Sequence, residues 1–359
     1  MLNGIDVSSY QKFSNYELLN DTNTAFMFIK ASESIRQDPM FRIHNEGIAK
    51  TKLLKGAYHF LRFSHTGEEQ ANAFINSVGP TLGDYDLPPV LDIEDISENI
   101  DVNATETFIK AWLDTVKAKY KVDPIIYTGA WYWKDKTRLN NSSSFAIYPL
   151  WVSAYASSYP PPFGGWSTPT FWQYSEKGTI AGLVGTNAAI DLNYFLGDIN
   201  ALWKMLPASK TNKYSELGPK ISAVQYQLRK KVDTAIQVDG KWGDKSKAAL
   251  EKWQVAKSFS PSDSFDPVQW QSLFDLLAPG APTQLTAPAK IGQPVFPEPG
   301  VITTDKLNIR NGAGINSPMI ASPLPKGKSV TILEESNGWY RVKTQIEGWV
   351  NKDFVQIQN

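Results

Sequence analysis

The chain has 359 residues, of which 42% are hydrophobic and 12% aromatic. This length and composition predict a folded protein of two or three domains with sizeable cores. The 36 basic and 36 acidic residues cancel, so the net charge gives no indication of nucleic acid as a partner. No apolar stretch is long enough to span a bilayer, so we expect no membrane insertion.

The absence or scarcity of certain residue types excludes several kinds of reactive site. It contains no cysteine and three histidines, His44, His59 and His65, so thiolate sites and HExxH metal sites have no basis. The GxSxG pattern of many serine hydrolases is also missing. We therefore expect no metal and no cofactor. Carboxylates are the reactive groups that remain.

The first segment, residues 1–206, has the pattern of an α/β fold. Helical patterns separate the early strands, and this alternation predicts a TIM-like β/α barrel. Prolines and glycines fill the spacers after Leu150, so we expect an irregular barrel with about five helices. Eight short apolar runs recur as buried parallel strands do; they are residues 2–7, 25–31, 56–60, 90–93, 124–128, 150–154, 170–174 and 188–192.

Three shorter segments follow the predicted barrel. Apolar spacing in residues 216–278 predicts a small three-helix bundle, in which Asp266 caps the third helix and Pro267 begins it. Residues 279–300 are rich in proline and predict an extended linker. Residues 301–359 carry short alternating runs between Gly and Pro turns, which predict a small SH3-like β-barrel.

Two acids end the fourth predicted strand. Asp92 and Glu94 are two residues apart, so both side chains leave the same face. In this architecture the C-terminal strand ends form the catalytic mouth, where like charges raise the pKa of one acid. The alternative is a structural role, in which both acids cap a helix or pair with a lysine. Asp6 and Asp191 favour the catalytic interpretation, because they lie at the ends of the first and last strands, which are neighbours in a closed barrel.

Seven motifs in register give the barrel segment a family resemblance. Residues 1–205 closely resemble the glycoside hydrolase family 25 lysozymes through Asp6-Val7-Ser8-Ser9-Tyr10-Gln11, Gly56-Ala57-Tyr58-His59-Phe60, Leu91-Asp92-Ile93-Glu94, Ile126-Tyr127-Thr128, Leu150-Trp151-Val152, Trp172-Gln173-Tyr174 and Ile190-Asp191-Leu192-Asn193. The resemblance implies that Glu94 is the general acid and Asp92 its partner carboxylate, with Asp6 and Asp191 shaping the charge of the floor. The Asp-x-Glu pair resembles a substrate-assisted arrangement, in which Asp92 steadies an acetamido group. Direct attack by water stays open.

Aromatic residues at strand ends are the candidates for binding sugar rings. For each of them, core packing is the alternative. Strand alternation sends Tyr58 and His59 to opposite faces, so a structural role for His59 is at least as well supported as a catalytic one. The candidates are Tyr58, Tyr127, Trp151, Tyr155 and Tyr174.

The rear segments carry resemblances of their own. Through a motif in residues 238–254, residues 216–278 resemble the peptidoglycan-binding three-helix domain of many wall hydrolases, although the Asp239-Gly240 turn has a sufficient structural role. Residues 307–350 resemble a bacterial SH3-like domain, a module that commonly holds the peptide part of the wall. There we expect Trp339, Tyr340 and Trp349 to be core residues, and Asn308 and Arg310 to be the surface candidates.

Together the resemblances imply an N-acetylmuramidase that cuts the β-1,4 bond between N-acetylmuramic acid and N-acetylglucosamine in peptidoglycan. The expected partners are the glycan strand at the barrel and a wall polymer or stem peptide at the rear segments. No signal peptide is visible, so we expect a mature exported protein, signal-independent export, or an endolysin released at phage lysis. Two alternatives stay open: a non-catalytic wall-binding protein on the same barrel, which the clustered acids oppose, and a chitin-cleaving glycosidase.

Overall fold

The protein consists of two compact units, residues 1–287 and 288–359. The first contains a barrel followed by three helices, and the second is a small β-structure. The computed structural model describes residues 1–94, 102–185, 188–208, 210–276, 298–315, 317–336, 339–344, 346–351 and 354–357.

Eight strands of the first unit form a closed barrel. Around the barrel the order is β1-β11-β9-β8-β7-β6-β5-β3, and pairing of β3 with β1 closes it. All eight predicted runs are strands of this barrel, so the barrel prediction is confirmed. The strands of this unit are β1 (Leu2–Val7), β2 (Lys12–Phe13), β3 (Thr24–Glu33), β4 (Arg36–Gln37), β5 (Leu54–Phe60), β6 (Val90–Asp92), β7 (Ile125–Gly129), β8 (Leu150–Ser153), β9 (Phe171–Gly178), β10 (Leu183–Val184) and β11 (Ile190–Phe195).

The last barrel strand runs opposite to the others. Strand β11 pairs antiparallel with both β1 and β9, whereas the remaining barrel pairs are parallel. The sequence interpretation of eight parallel strands is therefore wrong for β11. Because of this reversal, Asp191 reaches the mouth from the start of its strand, directly opposite Asp6.

The barrel interior changes from aromatic to acidic along its axis. Near the N-terminal ends of the strands, Phe26 and Phe28 fill the interior and are fully buried. Glycines on neighbouring strands make room for them: a Cβ at Gly4 would lie 2.1 Å from the Phe26 ring, and a Cβ at Gly56 would lie 2.3 Å from the Phe28 ring. The close-packed aromatic layer leaves only the C-terminal end of the barrel open for chemistry.

Five α-helices accompany the barrel strands in the described part of residues 1–206, as predicted. Local signals fix their ends: Thr66 and Glu69 form a capping box at the start of α2, and the Asp198 side chain accepts from the Ala201 amide at 2.8 Å at the start of α5. The helices are α1 (Phe41–Ala49), α2 (Gly67–Val78), α3 (Val102–Tyr120), α4 (Ala130–Asp135) and α5 (Ile199–Trp203).

Three further helices lie in residues 210–276, here called the helical segment. They are α6 (Ile221–Lys231), α7 (Asp244–Ala256) and α8 (Pro267–Leu273). As predicted, Asp266 caps α8, accepting from the Gln269 amide at 2.8 Å. Their buried side chains do not form a separate core. Leu202, Trp203 and Leu206 of the barrel region belong to the same hydrophobic cluster as residues of the helical segment.

A buried lysine anchors the helical segment to the barrel. Lys220 donates through Nζ to the backbone carbonyls of Thr51 and Leu53, at 2.9 and 2.7 Å, just before β5 begins. Burial lowers the pKa of Lys220 to about 7. The segment also reaches the chain before β3, where Gln227 donates to the Asn20 carbonyl at 2.9 Å. It therefore covers the N-terminal end of the barrel, opposite the acidic mouth.

The second unit is a β-structure with its own small core. Its main sheet has the order β17-β16-β15-β12-β18, and β13 pairs with β14. Tyr340 is buried, as predicted, and Trp339 is half-buried; the side chain of Trp349 lies outside the described residues. The strands are β12 (Glu298–Ile302), β13 (Lys306–Leu307), β14 (Leu324–Pro325), β15 (Ser329–Ser336), β16 (Trp339–Lys343), β17 (Glu347–Asn351) and β18 (Val355–Ile357).

The proline-rich linker predicted for residues 279–300 lies mostly outside the described residues. Its last three residues belong to strand β12, so the β-structure starts at Glu298, three residues before the predicted boundary at residue 301. None of the helices in the described ranges combines the length and the apolar character that crossing a bilayer requires.

Candidate active site

The four acids singled out in the sequence meet at the mouth of the barrel. Asp6 lies one residue before the end of β1, Asp92 ends β6, Glu94 follows β6, and Asp191 lies near the start of β11. Asp6, Asp92 and Asp191 are largely enclosed, whereas Glu94 is exposed at the open end. Four carboxyl groups held this close are costly, because the charge on each one makes the ionisation of its neighbours less favourable.

Asp92 and Glu94 form the first carboxyl pair. Burial, followed by the charge of Glu94, raises the pKa of Asp92 well above its usual range. Desolvation by the walls of the mouth, followed by the charge of Asp6, raises the pKa of Glu94. The pair therefore retains a proton to higher pH than isolated acids do. The Oδ1 atom of Asp92 is buried without a hydrogen-bond partner among the described residues.

Asp6 and Asp191 form the second pair, on adjacent antiparallel strands. Burial, the charge of Asp6 and a hydrogen bond to Asp6 raise the pKa of Asp191 to about 9. The pair therefore keeps a proton at neutral pH, in the hydrogen bond that Asp191 makes to Asp6. Burial also raises the pKa of Asp6, but hydrogen bonds from Asn193, Gln173 and Asp191 oppose that rise. These donors favour an ionised Asp6.

Two amide side chains that the sequence reasoning did not select connect these acids. Gln173 donates through Nε2 to Asp6 Oδ2 at 2.9 Å, and Asn193 donates to the same oxygen at 2.8 Å. Both residues lay within motifs used for the family resemblance. Strand alternation was the available signal: Asn193 lies two residues after Asp191 and therefore shares its inward face.

The five aromatic candidates have different positions. Tyr155 is 54% exposed at the rim, and its hydroxyl donates to Gln173 Oε1 at 3.0 Å. Tyr127 is buried and donates to the same oxygen at 2.8 Å. Tyr58 is also inside, and burial followed by the charge of Asp6 raises its pKa. Its hydroxyl therefore stays protonated at the site.

The structure does not bring the other two aromatics to the open mouth. Trp151 is buried beneath the acids, where its ring stacks on Phe28 at 4.6 Å and its Nε1 donates to Asn193 at 2.8 Å. Tyr174 lies on the outer face of β9, stacked on Tyr194 at a centroid distance of 4.2 Å. Neither ring offers a face to a sugar in this arrangement.

Other side chains at the mouth were missed. Tyr10 follows β1 and is 88% exposed, and Trp131 follows β7 and is 62% exposed. Both follow strand ends, the positional signal that selected Tyr155. Lys30 approaches the acids from β3, and its charge lowers the pKa of Asp92 and of Glu94.

His59 faces away from the mouth. It hydrogen-bonds Ser32 at 2.8 Å and Gln70 at 3.1 Å, and its ring stacks on Trp112 at 5.6 Å. Burial lowers its pKa to about 4, so His59 is a neutral residue of the layer between sheet and helices.

Comparisons with known proteins agree with this geometry. The family profile described as glycosyl hydrolases family 25 matches residues 5–183, and the bacterial SH3 domain profile matches residues 305–356. Lysozyme M1 of Streptomyces globisporus is 34% identical over 202 residues, covering 54% of this chain and 67% of that protein. The N,O-diacetylmuramidase of Chalaropsis sp is 31% identical over 215 residues, covering 56% of this chain and 97% of that protein. A family GH25 lysozyme structure from Aspergillus fumigatus superimposes with a TM-score of 0.52 at 31% identity, covering 58% of this chain and 99% of that chain. This chain belongs to glycosyl hydrolase family 25.

Proposed function

We propose that the chain is an N-acetylmuramidase that hydrolyses the β-1,4 bond between N-acetylmuramic acid and N-acetylglucosamine in bacterial peptidoglycan. The observation that carries this proposal is the proton-retaining pair Asp92 and Glu94 at an open barrel mouth. Two carboxyl groups are the usual machinery of glycoside hydrolysis. The relatives named lysozyme and N,O-diacetylmuramidase supply the substrate class.

In the proposed reaction, Glu94 protonates the glycosidic oxygen. Glu94 is the exposed member of its pair and can meet a bound substrate, whereas Asp92 is buried behind it. The free Oδ1 of Asp92 accepts the N–H of the substrate's acetamido group. This hydrogen bond favours ionised Asp92 and leaves the shared proton on Glu94. The acetamido oxygen then attacks the anomeric carbon, the glycosidic C–O bond breaks, and the leaving oxygen takes the proton of Glu94. Ionised Glu94 next accepts a proton from water, whose oxygen displaces the acetamido oxygen from the anomeric carbon and completes the hydrolysis.

The rim aromatics Tyr155, Trp131 and Tyr10 are proposed to contact the glycan strand. Their exposed rings offer faces on which sugar rings stack, and they follow three different strands, Tyr10 and Tyr155 in loops and Trp131 in the first turn of α4. The hydroxyl of Tyr58 lies among the acids and supplies a donor to the substrate.

Product analysis tests the proposed bond specificity. Purified peptidoglycan digested by the protein is expected to release fragments with N-acetylmuramic acid at the reducing end, identified by mass spectrometry after borohydride reduction. Chitin oligosaccharides, which lack muramic acid, are expected to remain intact. Fragments with reducing N-acetylglucosamine, or faster cleavage of chitin, would favour the chitin-cleaving alternative.

We propose further that the second unit binds the cell wall and that the protein acts there. Arg310, one of the surface candidates, is half-buried and donates to the Ser317 carbonyl at 2.6 Å; this leaves Asn308, also half-buried, as the freer candidate. For the helical segment, wall binding has weaker support, because Gln225 holds the backbone amides of Asp239 and Gly240 at 3.0 and 2.8 Å. Those residues build the turn.

Removal of the second unit should separate wall binding from catalysis. A Glu94→Gln chain of full length is expected to co-sediment with peptidoglycan, and a Glu94→Gln chain ending at Ala287 much less so. With Glu94 intact, the shortened chain should cleave soluble glycan fragments at nearly the full rate but lyse cells at least about tenfold more slowly, because tethering raises local concentration. Equal sedimentation of the two inactive chains would refute wall binding by this unit.

A further inference from the structure

The amide of Gln173 is saturated with hydrogen bonds inside the barrel. Its Oε1 accepts from Tyr127 at 2.8 Å and from Tyr155 at 3.0 Å. Its Nε2 donates to Asp6 at 2.9 Å and to Asp191 at 3.3 Å. The indole Nε1 of Trp151 only donates, and it donates to Asn193 Oδ1 at 2.8 Å, so Asn193 presents its amide nitrogen to Asp6 Oδ2. Gln173 presents its nitrogen to that same acceptor and its oxygen to the two tyrosine hydroxyls. Gln173 thus has one orientation, and it is 3% exposed.

This orientation controls where the second carboxyl pair keeps its negative charge. Asp6 receives donors from Gln173 and Asn193, at 2.9 and 2.8 Å, besides the hydrogen bond from Asp191. Asp191 accepts the longer contact from Gln173, at 3.3 Å, and donates to Asp6. Donors converging on one carboxylate favour its ionised form, so the charge stays on Asp6.

The charge on Asp6 acts in turn on the pair that performs catalysis. It raises the pKa of both Asp92 and Glu94. Lys30 opposes it for both acids and Arg62 for Glu94. The titratable and charged groups that act on the two pairs from the surrounding strands and loops are Lys30, Glu33, Tyr58, Arg62, Tyr127, Tyr155 and Glu176.

We propose that Gln173 is a positioning residue that fixes the negative charge of the barrel floor on Asp6 and thereby keeps the catalytic proton available to Glu94. This inference rests on the proposed glycosidase function. Without the Gln173 donor, the negative charge on Asp6 is less stable, so the Asp6–Asp191 pair takes up a second proton more readily. The pair is then neutral, and Asp92 and Glu94 release their shared proton at lower pH.

The pH dependence of kcat/KM on soluble glycan fragments tests the proposal, because it reports the essential acid of the free enzyme. In Gln173→Met, the alkaline limb is expected to move to lower pH, so that the ratio of kcat/KM at about pH 8 to that at about pH 5 falls roughly threefold to tenfold relative to wild type. Phe171→Leu is the matched control: Phe171 lies two residues earlier on β9, faces the same interior and is fully buried. We expect Phe171→Leu to leave the alkaline limb of kcat/KM at the wild-type pH, whatever its effect on the size of kcat/KM.

A second variant and a substrate-free measurement complete the test. Gln173→Asn keeps the amide but shortens its reach, so the limb should move in the same direction even if Gln173→Met does not fold. Carbon-13 NMR titration of the Glu94 carboxyl should show its protonation midpoint at lower pH in both variants. An alkaline limb and a midpoint equal to those of wild type would overturn the role of Gln173. If instead the midpoint moves while Glu94→Gln remains fully active, the charge coupling stands and the proposed function of Glu94 fails.

Discussion

Replacement of Glu94 by glutamine should abolish lysis while leaving the fold intact. An amide has the size of the acid but cannot donate a strong acid proton, so we expect kcat to fall by roughly 10²- to 10⁴-fold. Stability should not suffer. The pKa of Glu94 is raised in the folded state, so the folded protein binds protons more tightly than the unfolded chain, and its stability declines as pH rises through this range. Glutamine removes that penalty, and the melting temperature at neutral pH should equal or exceed that of wild type.

Asp92→Asn is the graded comparison for Glu94→Gln. An amide at position 92 still fills the buried site but cannot stabilise the positive charge that develops on the attacking acetamido group, so we expect a severe but smaller loss than at Glu94. The same mechanism makes the wild type depend on its substrate: de-N-acetylated peptidoglycan, which has no acetamido group to orient, should be a very poor substrate.

Turbidity clearing above about a tenth of the wild-type rate by a folded Glu94→Gln protein would contradict the assignment of the acid.

A chain ending at Leu206 should lose most of its folding stability. The predicted domain boundary at residue 206 remains a prediction, yet Trp203 and Leu206 are 2% and 5% exposed and pack in one cluster with the helical segment. Full burial of a large apolar side chain stabilises by about 1.5 to 3 kcal/mol. Exposing this cluster therefore removes several such contributions from a total of roughly 5 to 15 kcal/mol. The truncation also removes Lys220, which donates hydrogen bonds to the backbone carbonyls of Thr51 and Leu53.

The chain ending at Ala287 is the control for this truncation. It retains the helical segment and the shared core, so its melting temperature should match that of the first unit within the full-length protein. Thermal unfolding followed by circular dichroism, together with cleavage of soluble glycan, compares the two truncations. If the chain ending at Leu206 unfolds cooperatively at the wild-type temperature and cleaves at the full rate, the helical segment does not support the barrel.

The sequence by itself determined the eight barrel strands and the acids at their ends. Buried strands have to be apolar on both faces, and this left short continuous runs that are readable without a structure. A carboxyl group directly after such a run stands out because its burial is costly. Asp6, Asp92, Glu94 and Asp191 were therefore identifiable one by one, and Asp92 and Glu94 also as a pair, since alternation along one strand fixes their common face.

Only the tertiary structure decided how separate strands combine. The reversal of β11 is a property of chain path rather than of local pattern, and it places Asp191 opposite Asp6. Gln173 became part of the site only when β9 and β11 paired, because a neutral amide has no local signature of function. The helical segment reads as an independent bundle in sequence, since its apolar spacing would serve equally to bury its faces against each other or against a barrel. The choice depends on which apolar surfaces are left uncovered when the rest of the chain has folded. Here the N-terminal end of the barrel supplied that surface.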